Sequence, residues 1–188
     1  MSFEERRKFL WILFLIGLLL IAVAANATTL AGLHFDDMAR MANAVARVRC
    51  LSSEPIWKNG EIWTETQFRV EEENKGTLPP IVMIQMPGGT FGHLHSRVEE
   101  VPGFRPGEEA YLFLWARPGE PYRVLGWSQG AFRIARDART GAESVTQDSA
   151  EMPVFDPMTR RFRFGGVRGM PIAAFQLKLK RALEKVNR

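Results

Sequence analysis

Cysteine is almost absent from this sequence, since Cys50 is the only one among 188 residues. An internal disulfide is therefore excluded, and the stability of the fold must come from burial and from β-pairing. The sequence also lacks internal repeats and low-complexity tracts, which argues against a solenoid or a disordered chain. No catalytic or cofactor-binding motif stands out, so we predict neither an enzyme nor a bound cofactor.

The N-terminus has the three regions of a signal peptide. Arg6, Arg7 and Lys8 form a basic start, and an uncharged apolar run follows from Phe9 to Ala24. Ala25-Asn26-Ala27 then supplies the small-x-small pattern that signal peptidase recognises. We therefore expect residues 1–27 to be removed, which leaves Thr28 as the first residue of the mature protein.

An uncleaved membrane anchor is the alternative interpretation of the same segment. Residues 9–25 would then hold the chain in the inner membrane, although the apolar run is a little shorter than the roughly 20 residues that span a bilayer. In either case the basic flank keeps the N-terminus inside and sends the remainder across. We predict a periplasmic or extracellular location for the domain that follows.

Charge is distributed unevenly along the chain. Residues 158–188 carry nine Lys and Arg against one acid, whereas residues 28–157 carry 13 Lys and Arg against 18 Asp and Glu. The chain therefore has an acidic body and a basic tail. An exported, acidic body is a poor match for a phosphate backbone, so nucleic acid is not an expected partner.

Alternating and apolar runs predict a mainly β domain. Asn59-Gly60 is a strong hairpin signal, and the strand after it alternates from Ile62 to Val70. The nearly continuous apolar run at 109–115 indicates a central strand buried on both faces. A break is expected at Glu54-Pro55. The other expected strands cover residues 46–50, 81–86, 122–127 and 131–135, with an edge strand at 143–147. Residues 122–127 and 131–135 are either two strands or one long strand bent at Gly130.

Two helices are expected to flank the strands. The first follows His34 and has Asp36 and Asp37 in its first turn, where the helix dipole favours anions. Its apolar face would comprise Phe35, Met38, Ala42 and Val45. The second begins at Pro171, after an irregular segment at 148–170. Its apolar stripe would comprise Ile172, Phe175, Leu179, Ala182, Leu183 and Val186.

About six short strands flanked by two helices favour a small OB-like barrel or a sandwich over a βαβ fold. We predict three parts of the chain. Residues 1–27 are the signal peptide or anchor, residues 28–147 form the β-barrel domain, and residues 148–188 contain the irregular segment and the basic, amphipathic C-terminal helix.

Turn glycines and core positions between residues 33 and 140 follow a recognisable pattern. Its segments are Phe35-Asp36-Asp37-Met38, 44–48, Thr66-x-Phe68-x-Val70, Lys75-Gly76, Pro87-Gly88-Gly89, Val101-Pro102-Gly103-Phe104, Gly107-Glu108-Glu109 and Leu112-Phe113-Leu114. The pattern resembles a group of uncharacterised exported bacterial proteins, which occur alone or beside extracellular metalloprotease domains. The resemblance implies an exported β-barrel fold and specifies no activity.

More distantly, the layout is similar to netrin-like OB modules such as the tissue inhibitors of metalloproteinases. Those inhibitors act through an N-terminal cysteine that chelates the zinc of the protease. The expected mature N-terminus here is Thr28 and Cys50 is internal, so that mechanism does not carry over. The similarity implies architecture only.

His93 and His95 form the strongest candidate metal site, although it is a weak one. On a strand, both imidazoles would lie on one face, with Glu99 or Glu100 as a third ligand. The flanking glycines indicate a loop instead, and two histidines are fewer than a stable site needs. We predict surface histidines and no bound metal.

Two possible nucleophiles have simpler interpretations. Cys50 alternates with Arg47 and Arg49, which points its side chain inward as a small buried hydrophobe. Ser128 lies in Gly126-Trp127-Ser128-Gln129-Gly130, which matches the G-x-S-x-G string of a nucleophile elbow. That elbow requires a helix after the serine, whereas residues 131–135 are typical of a strand, so we interpret the match as a chance turn.

Partner binding is the remaining hypothesis. Trp63 lies on the polar face of its strand, and it is a candidate contact together with Lys178, Arg181 and Lys185 of the basic helix. That helix either packs on the barrel or lies on an anionic membrane surface. We predict an exported, non-enzymatic module that binds a protein or cell-envelope component. A membrane-anchored accessory subunit of an envelope complex is the alternative.

Overall fold

The computed structural model describes Glu4, Trp11 and residues 31–186 of the chain. Residues 31–186 belong to one compact unit, which is a folded β domain. Apart from Glu4 and Trp11, the expected signal peptide or anchor and its cleavage site lie outside the described residues. Within the described part of the chain, no helix has the length and apolar character needed to cross a membrane.

The domain is mainly β, with 47% of residues in strands. Its elements in chain order are α1 (Phe35–Met41), β1 (Ala44–Lys58), β2 (Glu61–Lys75), β3 (Ile81–Pro87), β4 (Gly89–Phe91), β5 (Leu94–Ser96), β6 (Glu109–Trp115), β7 (Arg123–Val124), a 3₁₀ helix (Trp127–Gly130), β8 (Ala131–Arg136), β9 (Glu143–Gln147), β10 (Pro153–Asp156), β11 (Arg161–Phe164), β12 (Met170–Pro171) and α2 (Ile172–Val186).

Eight of these strands form one antiparallel sheet. Its order is β12-β9-β8-β6-β1-β2-β3, and β7 pairs with β6 beyond the end of β8. Strands β4 and β5 form one separate hairpin, and β10 and β11 form another.

The expected OB-like barrel of about six strands is wrong in two respects. The sheet is not a closed barrel, and the strands number more than six. A parallel bridge between Ile84 and Tyr122, with the Gln85 amide donating to the Tyr122 carbonyl oxygen at 3.0 Å, links β3 to the segment before β7. Strand β8, however, pairs onward with β9 and then β12, so the sheet continues past β6 instead of closing onto β3.

The two faces of the sheet bury different apolar clusters. The inner cluster includes Ala46, Val48, Cys50, Phe68, Val82, Ile84, Met86, Phe104, Leu112, Leu114 and Val124. The outer cluster includes Met38, Ala39, Val45, Tyr111, Phe113, Phe132, Val145, Phe175, Leu179 and Ala182. Strand β6 lies in the middle of the sheet and contributes alternate residues to both clusters. The prediction that 109–115 is buried on both faces is confirmed.

The β1–β2 hairpin is longer than expected. Asn59 and Gly60 have φ values of 52° and 84°, as a type I′ turn requires, so the hairpin prediction is confirmed. The expected break at Glu54-Pro55 is wrong, because β1 continues to Lys58 with Pro55 opposite Thr64. Strand β6 pairs with β1 only as far as Arg49. Beyond Arg49, this edge of β1 has no β6 partner. Pro55, which has no amide hydrogen to donate, is therefore tolerated in the strand.

Gly60→Val tests whether this turn fixes the register of β2. A Cβ at residue 60 would have open space around it, so the penalty is that of the backbone alone. A β-branched residue resists positive φ, and we expect a loss of about 1–2 kcal/mol in the free energy of unfolding. Thermal denaturation measures it. Gly103→Val is the matched control, since residue 103 is equally open without a positive φ, and an equal melting temperature in both variants would contradict the prediction.

The two helices differ in how well they match the sequence pattern. Helix α1 begins after His34, as expected, but it ends at Met41, and Val45 belongs to β1. Lys75 closes this end of α1 by donating to the carbonyl oxygens of Ala39 and Arg40 at 2.8 and 3.0 Å. The apolar stripe of α2 packs on the outer cluster with Phe175, Leu179 and Ala182 fully buried. The amphipathic C-terminal helix is confirmed.

Three further expectations need correction. The segment expected to be irregular, 148–170, contains β10, β11 and the start of β12. The strand expected at 122–127 is reduced to Arg123–Val124 and is followed by a 3₁₀ helix. Strand β9 is not an edge strand, because β12 pairs with it on the side away from β8. The strand expected at 131–135 is confirmed as β8.

Candidate functional site

Three apolar side chains are exposed together near the end of the β1–β2 hairpin. Trp57 comes from β1, and Phe91 and Leu94 face each other across the short β4–β5 hairpin. Their exposed fractions are 50%, 43% and 42%. The rings of Trp57 and Phe91 are in contact, with centroids 6.3 Å apart. We call these three residues the aromatic patch.

Pro87-Gly88-Gly89 brings the β4–β5 hairpin against β2. Gly88 and Gly89 have φ values of 96° and 133°, which residues other than glycine rarely adopt. A Cβ on Gly89 would lie 2.6 Å from the Thr64 hydroxyl oxygen. That hydroxyl donates to the Gly88 carbonyl oxygen at 2.7 Å. The two glycines therefore allow the close approach that holds the aromatic patch in place.

A cleft lies next to this turn, between β2 and the loop that follows β5. Its volume is about 680 Å³, within the range of small-ligand and peptide sites. The apolar part of its wall includes Met86, Val101 and Pro102, and Arg97 and Arg105 supply positive charge. Both arginines are exposed, so a bound segment could meet them without removing them fully from water.

The structure does not bring three of the four residues of the candidate metal site together. His93 lies in the β4–β5 turn, and His95 lies in β5 with Nδ1 2.9 Å from the Thr90 hydroxyl oxygen. Glu99 pairs with Arg97 at 3.5 Å, and Glu100 accepts a hydrogen bond from Ser128. Within residues 31–186, no three His, Cys, Asp or Glu side chains converge on one point where a metal ion could bind.

The side chain and backbone of Ser128 both form hydrogen bonds that hold the local structure together. It is buried in the 3₁₀ helix, its hydroxyl donates to the Glu100 carboxylate at 3.0 Å, and its amide donates to the Glu100 carbonyl oxygen at 2.9 Å. A nucleophile elbow instead exposes its serine ahead of a helix, whereas β8 follows here. The prediction that this G-x-S-x-G match is not an elbow is confirmed, although the local structure is a 3₁₀ helix.

Cys50 is buried in the inner cluster, as the alternation predicted. Burial raises the pKa of its thiol, and the nearby Glu108 carboxylate raises it further. The thiolate is the reactive form of cysteine. The folded domain therefore holds Cys50 as a neutral, inaccessible thiol rather than as a nucleophile.

The predicted contact residues are partly engaged within the domain. Trp63 is half-buried, with the Arg123 guanidinium carbon 5.2 Å from its ring centroid. The Lys178 amine lies 4.8 Å from the centroid of the Phe35 ring, and Lys185 pairs with Asp36 at 2.7 Å. Arg181 is exposed on α2. The basic helix thus docks on α1, and a partner-binding role for these four residues stays a prediction.

No family model, curated protein or solved structure matches the chain. The resemblance to exported bacterial proteins and to netrin-like modules therefore stays a prediction. Sequence reasoning missed Phe91 and Leu94, because a three-residue strand is too short to show alternation. The signal available in the sequence was Gly92, which lies between Phe91 and Leu94. A glycine at that place is typical of a tight hairpin turn.

Proposed function

We propose that this domain is an exported, non-enzymatic module that binds a protein or cell-envelope component through the aromatic patch. The main support for this proposal is that Trp57, Phe91 and Leu94 are exposed together on paired strands. Exposed aromatic residues in a contiguous group mark interaction surfaces, and tryptophan is enriched among the residues that dominate binding energy. Holding them on strands reduces the conformational entropy lost when a partner binds.

The adjacent cleft adds shape and charge to this surface. Its apolar wall would receive side chains from the partner, while Arg97 and Arg105 favour acidic groups. The chemistry of Ser128 and Cys50 also supports a binding function over catalysis, since both are buried and the serine is bonded to a carboxylate rather than to a histidine.

Site-specific photo-crosslinking tests the proposal in the cells that naturally produce the protein. A photoreactive phenylalanine analogue at position 91 is expected to give discrete crosslinked adducts on a denaturing gel. Trp57→Ala in the same chain should weaken the interaction by about thirtyfold or more, since truncating an interface hot spot costs at least ~2 kcal/mol. The adduct yield should fall with it when the protein is present below its dissociation constant.

Leu177, which is exposed on α2, provides the matched control position for the photoreactive residue. Adducts at 91 that are unaffected by Trp57→Ala, or adducts at 177 alone, would contradict binding through the aromatic patch. Trp57 is half-exposed, so its truncation should leave the fold intact, and circular dichroism checks this.

A membrane-anchored accessory subunit is the second candidate. The Gly32 amide donates to the Phe155 carbonyl oxygen at 2.7 Å, so the chain is attached to the folded domain within a few residues of the expected leader. Terminal sequencing of the exported protein separates the candidates. We expect Thr28 as the first residue, and Met1 or Ser2 would instead favour the anchored subunit.

A further inference from the structure

The β10–β11 hairpin has an unusual distribution of apolar residues. Phe155 lies opposite Phe162, and Pro153 lies opposite Phe164, so these four residues share one face. Val154 and Asp156 of β10 point to the other face and are buried against the domain. The apolar face of the hairpin is therefore the outer one.

This outer face is open to solvent. Phe162 and Phe164 are 61% and 73% exposed, and Met158 at the tip is 87% exposed. The Phe155 and Phe162 rings contact each other with centroids 5.6 Å apart. The Asp156 carboxylate accepts hydrogen bonds from the Met158 and Thr159 amides, at 2.9 and 3.3 Å, which fixes the tip. The exposed apolar residues thus belong to an ordered hairpin.

Positive charge accompanies these apolar residues. The sequence between 157 and 169 contains Arg160, Arg161, Arg163 and Arg168 and no acidic residue. Arg160 and Arg161 are exposed at the tip of the hairpin. Apolar side chains beside Arg and Lys are the combination that binds the interface of an anionic bilayer.

The hairpin is also held close to the point where the expected leader ends. Ala31 forms a parallel bridge with Phe155 of β10. Ala31 lies six positions after Ala25, the last residue of the possible anchor, and six extended residues reach at most about 20 Å. Before the expected cleavage, a leader inserted in the membrane therefore keeps β10 within reach of that membrane.

From these observations we infer that the β10–β11 hairpin contacts an anionic lipid bilayer. Met158, Phe162 and Phe164 enter the interface, and Arg160 at the tip meets the lipid headgroups. A second copy of the chain fits this face less well, because symmetric pairing would bring the arginines of the two hairpins together. The membrane contact is independent of the aromatic patch, which belongs to a different hairpin.

A fluorescent label at the tip tests the contact in the chain from Thr28 onward, the expected mature protein, mixed with lipid vesicles. Met158→Cys is labelled with an environment-sensitive fluorophore, while the buried Cys50 stays largely unreactive and the unsubstituted chain gives the background. In vesicles containing phosphatidylglycerol, we expect a blue-shifted emission that lipid-attached nitroxides quench. Arg139→Cys, in the exposed β8–β9 turn, is the matched label position and should be quenched weakly or not at all.

Two comparisons make the test specific. Replacing both Phe162 and Phe164 with serine should reduce quenching at position 158 to the level at position 139, without changing the melting temperature. Vesicles of phosphatidylcholine alone should give clearly less quenching than the anionic vesicles. Equal quenching at both label positions, or in both lipids, would overturn the proposal. A blue shift that lipid nitroxides do not quench would indicate contact with a second copy of the chain and would overturn the proposal as well.

Discussion

Phe175→Ala is expected to destabilise the domain more than any other single truncation on α2. The Phe175 ring is fully buried, with centroids 4.9 Å from Tyr111, 5.2 Å from Phe132 and 5.9 Å from Phe35. Truncating a buried phenylalanine costs about 3–5 kcal/mol. For a domain of this size, that corresponds to a fall of roughly 6–20 °C in melting temperature.

Leu177→Ala is the matched control, because Leu177 lies two residues further along the same helix and is largely exposed. Its effect should stay within about 0.5 kcal/mol. A chain ending at Met170 loses Phe175, Leu179 and Ala182 from the outer cluster together, and it should be less stable than Phe175→Ala. A truncated chain as stable as the full one would show that α2 serves a partner rather than the fold.

The elements that could be predicted are those whose pattern is set locally. A two-residue turn with Asn59-Gly60 determines its own backbone conformation, and the stripe of α2 repeats over four turns. Strand β6 has seven residues, of which the last six are apolar, enough to distinguish burial on both faces from burial on one. In each case the sequence contains the whole signal.

The elements that could not be predicted depend on pairing between distant residues. Helix α1 ends at Met41 because the Asn43 amide donates to the Leu114 carbonyl oxygen and Ala44 then pairs with β6, so the sheet ends the helix. Strand β12 has only two residues and exists because it pairs with β9. Closure of the sheet likewise depends on which strand β8 meets, and no local pattern specifies that.

The candidate site also combines features that the local sequence shows with features that depend on distant residues. Trp57 and Trp63 were both visible in the sequence as large residues in a hairpin. Which of them is open to a partner depends on Arg123, which comes from β7 and covers only the Trp63 ring. The exposure of Phe162 and Phe164 could not be predicted either, because their alternation with arginine gives no indication of which face meets the domain.

Gly130 explains why the G-x-S-x-G string occurs in this domain without an elbow. Residue 130 ends the 3₁₀ helix and directly precedes β8, and it passes close to the chain before that helix. A Cβ there would lie 2.2 Å from the Leu125 carbonyl oxygen and 3.1 Å from Val124 Cγ1. The first of these is a backbone atom, which cannot rotate away. The glycine is therefore required by packing.

Gly130→Ala is expected to lower the free energy of unfolding by about 3 kcal/mol or more, at the upper end of the range for inserting atoms into a packed interior. Chemical denaturation measures the loss. Gly165→Ala is the matched control, since a Cβ at residue 165 has no neighbour within 4 Å, and its effect should be within about 0.5 kcal/mol. If Gly130→Ala were as stable as Gly165→Ala, the close approach to Leu125 would be wrong.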